Sequence, residues 1–155
     1  MKTLAELKAA LEARYADLLG EPYPRFSDVE MKRRDALLAQ MMAAQQLDAL
    51  IVAEFMRAGT ATSWITGWPV TAEAVTLMIP GTPRRMYVQH FNHLPLARRL
   101  SHDTEVLWGE AGAVQLAADA IAKAKSGKCR VGVIGRMTPA QSGMLAATFD
   151  IVDMN

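Results

Sequence analysis

The chain has a single cysteine, Cys129, among its 155 residues. One cysteine excludes an intramolecular disulfide and any metal site built from several thiolates. Because Cys129 opens an apolar run, we interpret it as a small hydrophobic residue of the core. So little cysteine is typical of proteins in a reducing compartment, and we predict a cytoplasmic location.

Long hydrophobic runs are also lacking. No apolar run approaches the roughly 20 residues that a membrane-spanning helix requires. The first residues include the charged side chains Lys2, Glu6, Lys8 and Glu12, so they do not resemble the apolar part of a signal peptide. We therefore expect no association with a membrane.

Neither sign of charge is in excess. The chain has 17 Lys and Arg residues and 16 Asp and Glu residues, which gives a net charge of +1. This balance supplies no electrostatic reason to expect a nucleic-acid partner. Hydrophobic residues make up 51% and charged residues 21%, as in globular proteins, and the length fits one domain with an ordinary core.

Residues that could form a catalytic centre are few. His90 and His93 have the spacing of some zinc ligands, but the sequence places no third and fourth ligand beside them. The segment from Gly132 to Gly135 follows a predicted strand but lacks the third glycine of a dinucleotide-binding turn. We therefore predict no catalytic residue and no metal or cofactor in this chain.

Capping signals mark the helices. Thr3 and Glu6 have capping-box spacing and precede apolar residues at helical intervals, which predicts a helix that ends near Gly20. The prolines of residues 21–25 predict a turn. A second capping box, Ser27 with Glu30, predicts a helix to about residue 45. Three further helices are predicted over residues 93–100, 111–125 and 140–149.

Short apolar runs between these helices predict strands. The runs over residues 48–53 and 74–80 fit strands that are buried on both faces. A Gly/Pro connection at residues 81–83 joins the second run to residues 85–90 and predicts a β-hairpin. Further strands are predicted over residues 104–108, 129–134 and 150–153. Alternating strands and helices with one hairpin predict an α/β fold, a layered mixed sheet flanked by helices.

The segment between the first two predicted strands contains the candidate binding residues. The sequence indicates a polar connection that ends in Trp64-Ile-Thr-Gly. Trp64 favours packing in the core, whereas Trp68 fits equally a loop cap or an exposed aromatic turn at an interface or pocket rim. Arg57 could bind a ligand or lie in solvent. We select Trp64, Trp68 and Arg57 as candidate substrate-binding residues at a pocket rim.

The order of the segments resembles the N-terminal domain of the creatinase, prolidase and aminopeptidase P family, which includes Xaa-Pro peptidases. Trp64-Ile-Thr-Gly lies where this family commonly has Tyr-Leu-Thr-Gly. Gln46 replaces a glycine that is usual at the end of the second helix, and Ala61-Thr-Ser replaces an Asn-Ile-Arg-like segment. The other matching segments are 47–52, 77–80, 87–88, 96–98, 130–133, 138–140 and 151–153.

This resemblance implies a ribonuclease H-like layered sheet over residues 26–155, preceded by a helical extension and turn over residues 1–25. In the family this domain is non-catalytic, builds a homodimer and helps to wall the active site. Catalysis belongs to a C-terminal pita-bread domain, where two Asp, one His and two Glu usually bind a pair of divalent metals. We expect that domain to be absent from this chain. The alternative is a free-standing α/β module for small-ligand binding or association.

Overall fold

The structure is a computed structural model, and it describes residues 3–17, 24–55, 60–70 and 72–155. The predicted stop at Gly20 and part of the predicted turn at residues 21–25 lie outside these residues. A short 3-10 helix, Phe91–His93, precedes the fourth α-helix. The helices and strands are α1 (Leu4–Arg14), α2 (Asp28–Ala44), β1 (Ala49–Glu54), α3 (Ala61–Thr66), β2 (Ala74–Met78), β3 (Arg84–Val88), α4 (Leu94–Leu100), β4 (Thr104–Trp108), α5 (Ala113–Ala124), β5 (Arg130–Gly135), α6 (Pro139–Thr148) and β6 (Asp150–Asp153).

The strands form a mixed sheet in the order β4-β3-β2-β1-β5-β6. Strand β2 pairs antiparallel with both β1 and β3, and the other three pairings are parallel. The antiparallel β2–β3 pair confirms the predicted hairpin. The mixed sheet with helices confirms the predicted α/β class.

Helices cover both faces of the sheet. Successive side chains of a strand point to opposite faces, so Ile51 of β1 packs among the residues of α5, while Leu50 packs with those of α2 and α3. All six residues of β1 are buried. The continuous apolar run of its first five residues, 49–53, is therefore explained by the helices that cover both faces of the strand.

The helix caps agree with the sequence at two of three places. Thr3 with Glu6 and Thr138 with Gln141 form complete capping boxes, and Pro139 occupies the first turn of α6. At α2, the Ser27 hydroxyl accepts a hydrogen bond from the Glu30 amide. The reciprocal half is not formed in the described structure, because the Glu30 carboxylate accepts hydrogen bonds from Arg33 and Arg34 instead.

Helix α2 ends in a Schellman motif. The Leu47 amide donates to the Met42 carbonyl over 2.9 Å, and the Gln46 amide donates to the Ala43 carbonyl over 3.1 Å. Gln46 has a φ of 54°, so it occupies the left-handed position that glycine usually fills. Met42 and Leu47 belong to the same buried cluster, which provides the apolar contact of this motif.

Helix α1 begins at its predicted capping box. The helix forms, but none of its residues is buried. The apolar positions at helical spacing are exposed instead, from 39% for Tyr15 to 84% for Leu4. The spacing of the residues identified the apolar stripe, but it could not show that no other described part of the chain packs against it.

Helix α3 lies where the sequence predicted a polar connection. It has only six residues, and three of them are Thr or Ser, which have modest helix propensity. Thr60 at its N-cap makes no side-chain capping bond. Helices this short are stabilised by tertiary contacts, and local sequence signals cannot reveal these.

Candidate functional site

The candidate site lies at one edge of the sheet. Because β1 and β5 are parallel and β2 is antiparallel to β1, the ends of β1 and β5 meet the start of β2 there. Glu54 ends β1, Gly135 ends β5, and Glu73 immediately precedes β2. Helix α3 follows β1 and brings Trp64 to the same edge.

The C-terminal end of α3 is held by three parts of the chain. Arg34 of α2 donates to the Trp64 carbonyl over 2.9 Å, and Arg84 of β3 donates to the Ile65 carbonyl over 2.6 Å. The His102 amide donates to the Thr66 carbonyl over 2.8 Å. Since the last carbonyls of a helix lack partners within it, these three donors stabilise α3 and fix the position of Trp64.

Gly67 allows the chain to turn at the end of α3. Its φ of 82° is in the left-handed region, and its amide donates to the Ser63 carbonyl over 2.8 Å. This C-cap explains the glycine in the Trp-Ile-Thr-Gly segment without any contact with a ligand.

The two tryptophans differ in burial. Trp68 is only 2% exposed and packs in a cluster with residues of β3 and α4, which excludes the exposed aromatic turn, one of the two interpretations that the sequence left open. Trp64, which the sequence favoured as a core residue, is half-buried: it packs against the core cluster of α2 and β1 and also lines a cleft. Arg57, the third candidate, lies outside the described residues.

The Trp64 ring packs against the guanidinium group of Arg34. The Arg34 guanidinium carbon lies 3.7 Å from the centroid of the Phe26 ring and 5.1 Å from that of the Trp64 ring. Its side chain is 7% exposed and pairs with Glu30 over 2.8 Å. Hydrogen bonds from Arg33 and then Arg34 lower the pKa of Glu30 to about 2.

Two cavities adjoin Glu54. One, of about 430 Å³, is lined by Trp64 and Thr60 of the α3 end and by Gly135 and Arg136 after β5. The other, of about 260 Å³, lies towards Glu73 and the N-terminal end of α6. Glu54 and Arg136 line both cavities. Together the cavities are within the size range of small-molecule sites.

Glu54 is the most unusual side chain of this edge. It is 3% exposed, and its Oε1 atom has no hydrogen-bond partner among the described residues. Nearby Glu73 is half-buried, and this burial raises the pKa of its carboxyl group. The sequence offered one signal for Glu54, since it is the charged residue that follows the apolar run of β1, but that run alone does not show its burial.

Gly135 is required by close packing rather than by a phosphate ligand. A Cβ atom at this position would lie 1.9 Å from the Ala53 carbonyl oxygen, and its φ is 98°. The structure therefore explains a glycine that ends β5 by the approach of two parallel strands.

The histidine pair forms no larger cluster. The rings of His90 and His93 lie 5.2 Å apart between centroids, in an edge-to-face arrangement. Within the described ranges, no group of three or more His, Cys, Asp or Glu side chains is placed to hold a metal ion. Cys129 is buried at 3% exposure in the apolar cluster beneath α5, as its interpretation as a core residue required.

The largest cavity described, about 460 Å³, lies elsewhere, between α2 and the hairpin turn. Its walls are mainly apolar, and its charged rim contains Asp35 and Arg84, which pair with each other. In the part of the chain that the structure describes, no helix is long and apolar enough to cross a membrane.

Comparison with known proteins identifies the class. The family model described as the creatinase/prolidase N-terminal domain matches residues 33–154. The chain belongs to this family. The match confirms the resemblance of the segment order, and it begins after α1. A search of curated proteins gives no match.

Solved structures share the fold. A creatinase/prolidase-like N-terminal domain from Corynebacterium diphtheriae, of a protein described as a metallopeptidase, is 22% identical, with a TM-score of 0.58 over 79% of this chain and 92% of that chain. An aminopeptidase P from Streptococcus thermophilus is 15% identical, with a TM-score of 0.62 over 81% and 92%. A Xaa-Pro dipeptidase from Bacillus anthracis is 11% identical, with a TM-score of 0.64 over 81% of this chain and 34% of that chain. At these identities the similarity shows the fold alone.

Proposed function

We propose that this chain is the non-catalytic N-terminal domain of a creatinase/prolidase-like hydrolase, with roles in dimerisation and in walling an active site. The family match over residues 33–154 is the observation that carries the proposal. The chain matches about a third of the Bacillus anthracis Xaa-Pro dipeptidase, which leaves room there for a second domain. The pair of divalent metals implied by the resemblance would belong to such a domain.

The cleft beside Trp64 is the part of the domain best suited to wall a substrate site. It combines an aromatic side chain with polar groups from two strand ends. The Arg34 guanidinium lies over the Trp64 ring and also donates a hydrogen bond to the Trp64 carbonyl. These two contacts hold the ring in position without a ligand. Trp68 is not part of this proposal, because its ring is buried in the core.

The proposed dimer would bury the apolar stripe of α1. Leu4, Leu7, Leu11 and Tyr15 are 84%, 48%, 56% and 39% exposed. Contiguous exposed apolar side chains are typical of association surfaces. Lys8 and Glu12 lie beside the stripe, so an antiparallel pair of helices would place Lys8 of each copy opposite Glu12 of the second copy.

The oligomeric state tests this surface directly. We expect light scattering to show a dimer for the unchanged chain and a dimerisation constant about tenfold or more weaker for Leu11→Lys, because a buried leucine contributes about 2 kcal/mol. Ala13→Lys, on the opposite side of α1, is the matched control and should leave the dimer intact. A monomeric unchanged chain, or an undiminished Leu11→Lys dimer, would contradict the role of this surface.

Hydrolysis assays test the non-catalytic role. We expect the pure chain, supplemented with manganese, cobalt or zinc, to leave Xaa-Pro dipeptides and creatine unchanged. Metal-dependent turnover by the chain alone would refute the proposal.

The second candidate function is a free-standing small-ligand-binding module. The cavities at Glu54 favour it, because they require no second domain. For either function we propose a cytoplasmic location, on the basis of the single, buried cysteine.

A further inference from the structure

Glu54 is a buried acidic residue with one carboxyl oxygen that lacks a hydrogen-bond partner among the described residues. It ends the central strand β1 with 3% exposure, and this oxygen is Oε1. A buried carboxyl oxygen without a hydrogen-bond partner lowers the stability of a fold, so such oxygens are normally paired. No ion pair of the described structure involves Glu54, although Arg136 lines the same two cavities.

We propose that Glu54 is the anchor of a binding site for a small organic ammonium ion. The carboxylate would accept hydrogen bonds from the ligand's N–H groups, which would supply the partner that Oε1 lacks among the described residues. The two adjoining cavities, of about 430 and 260 Å³, have room for the ligand's carbon atoms. Their walls supply apolar side chains, among them Ile134 on one side and Val114 on the other.

Charge at the site favours an amine over an anion. Among the described residues, the smaller cavity is lined by two carboxyl groups, Glu54 and Glu73, and one cation, Arg136, so acidic groups are in excess. Burial raises the pKa of Glu73, and a ligand cation beside it would favour the ionised form that burial disfavours. A divalent metal fits less well, because no group of three ligating side chains is present in the described ranges. A monovalent ammonium ion needs fewer ligands, and a single carboxylate can accept its hydrogen bonds.

The proposal of an ammonium ligand rests on the proposed function, in which the cleft beside Trp64 recognises a small molecule. Binding by the chain alone does not depend on dimerisation or on a second domain. Failure of an ammonium ion to bind would therefore leave the family role standing, and a failure of the dimer test would leave this site standing.

Calorimetry and thermal unfolding with butylammonium chloride test the site, with 1-butanol as the neutral control of similar size. We expect saturable binding of butylammonium that raises the unfolding temperature, and no equivalent effect of 1-butanol. The variant Glu54→Gln keeps the shape of the side chain and removes its charge, so it should bind butylammonium about tenfold or more weakly. Glu105→Gln, an exposed carboxylate on β4, is the matched control and should bind as the unchanged chain does.

Unfolding without any ligand gives a second measurement. If Oε1 of Glu54 lacks a partner, Glu54→Gln should raise the unfolding temperature by about 2–4 °C, because burying an amide costs less free energy than burying an unpaired carboxylate oxygen. A lower unfolding temperature would show that another part of the chain pairs with Glu54, with Arg57 the nearest cation in sequence, and would overturn the proposal. Equal binding of butylammonium by Glu54→Gln and the unchanged chain would also overturn it.

Discussion

Gln46 combines a local strain with a clear structural role. Its φ of 54° places a side chain in the left-handed region, where an L-residue costs about 1–2 kcal/mol relative to right-handed backbone. The sequence identified this position as one where the family usually has glycine. The Schellman motif at the end of α2 supplies the physical reason, because its C′ position must be left-handed.

Replacement of Gln46 by glycine should therefore stabilise the fold. We expect Gln46→Gly to increase the free energy of unfolding by about 0.5–1 kcal/mol, after the entropy cost of glycine is subtracted. Gln45→Gly, at a residue with an ordinary φ of −90°, is the control and should destabilise or leave stability unchanged. Chemical denaturation measures both, and a loss of stability in Gln46→Gly would contradict the role of backbone strain.

Glu30 should make stability depend on acidity. Its pKa of about 2 is below the ordinary value because Arg33 and Arg34 donate hydrogen bonds to the carboxylate. A lowered folded-state pKa means that the stabilisation is fully present above about pH 4.5 and is lost as the pH falls towards 2. The Glu30→Gln variant lacks this contribution.

The measurement is the unfolding temperature of both proteins between pH 7 and pH 2. We expect the unchanged chain to be more stable at neutral pH, and the difference from Glu30→Gln to shrink steadily below about pH 4.5. A difference that stays constant over this range would show that the two arginines do not stabilise the ionised form.

At the scale of the element, α3 determines which tryptophan is available for binding. Three donors hold its C-terminal carbonyls, and Gly67 then turns the chain so that Trp68 enters the core between the sheet and α4. Sequence reasoning detected both aromatic residues but not the short helix between them. Without α3, the direction of either ring could not be predicted.

Alanine substitutions separate the two tryptophans. Trp68→Ala should lower the free energy of unfolding by about 3–5 kcal/mol, because it leaves a cavity in a close-packed core. Trp64→Ala should cost clearly less, since that ring is half-buried at the edge of a cleft. Denaturant unfolding gives both values. Equal losses would mean that Trp64 is a core residue, as the sequence suggested.

Most other elements could be predicted from local signals. The capping box at Thr3 and the apolar runs of the strands depend on short-range chemistry, and each appears near its predicted position. The burial of Glu54 and the exposure of α1 could not be predicted, because each depends on which distant elements supply cover. For the same reason, the sequence selected candidate rim residues but missed the carboxylate between the two cavities.

At the scale of the whole molecule, sheet order and family agree. The mixed sheet with one antiparallel central strand matches the fold of creatinase/prolidase N-terminal domains, and the family model covers residues 33–154. We propose that this domain serves a larger hydrolase. In such a hydrolase, this domain would help to wall the active site and to form the dimer, and a second domain would supply the catalytic residues.

The reading frame of the source gene after the codon for Asn155 tests this claim most directly. We predict an open frame of roughly 200 or more further codons, which is long enough for a second domain. This frame should encode two Asp, one His and two Glu as ligands for a metal pair. A stop codon at that point would contradict the assignment to a larger hydrolase. The chain would then act as a small-ligand-binding module.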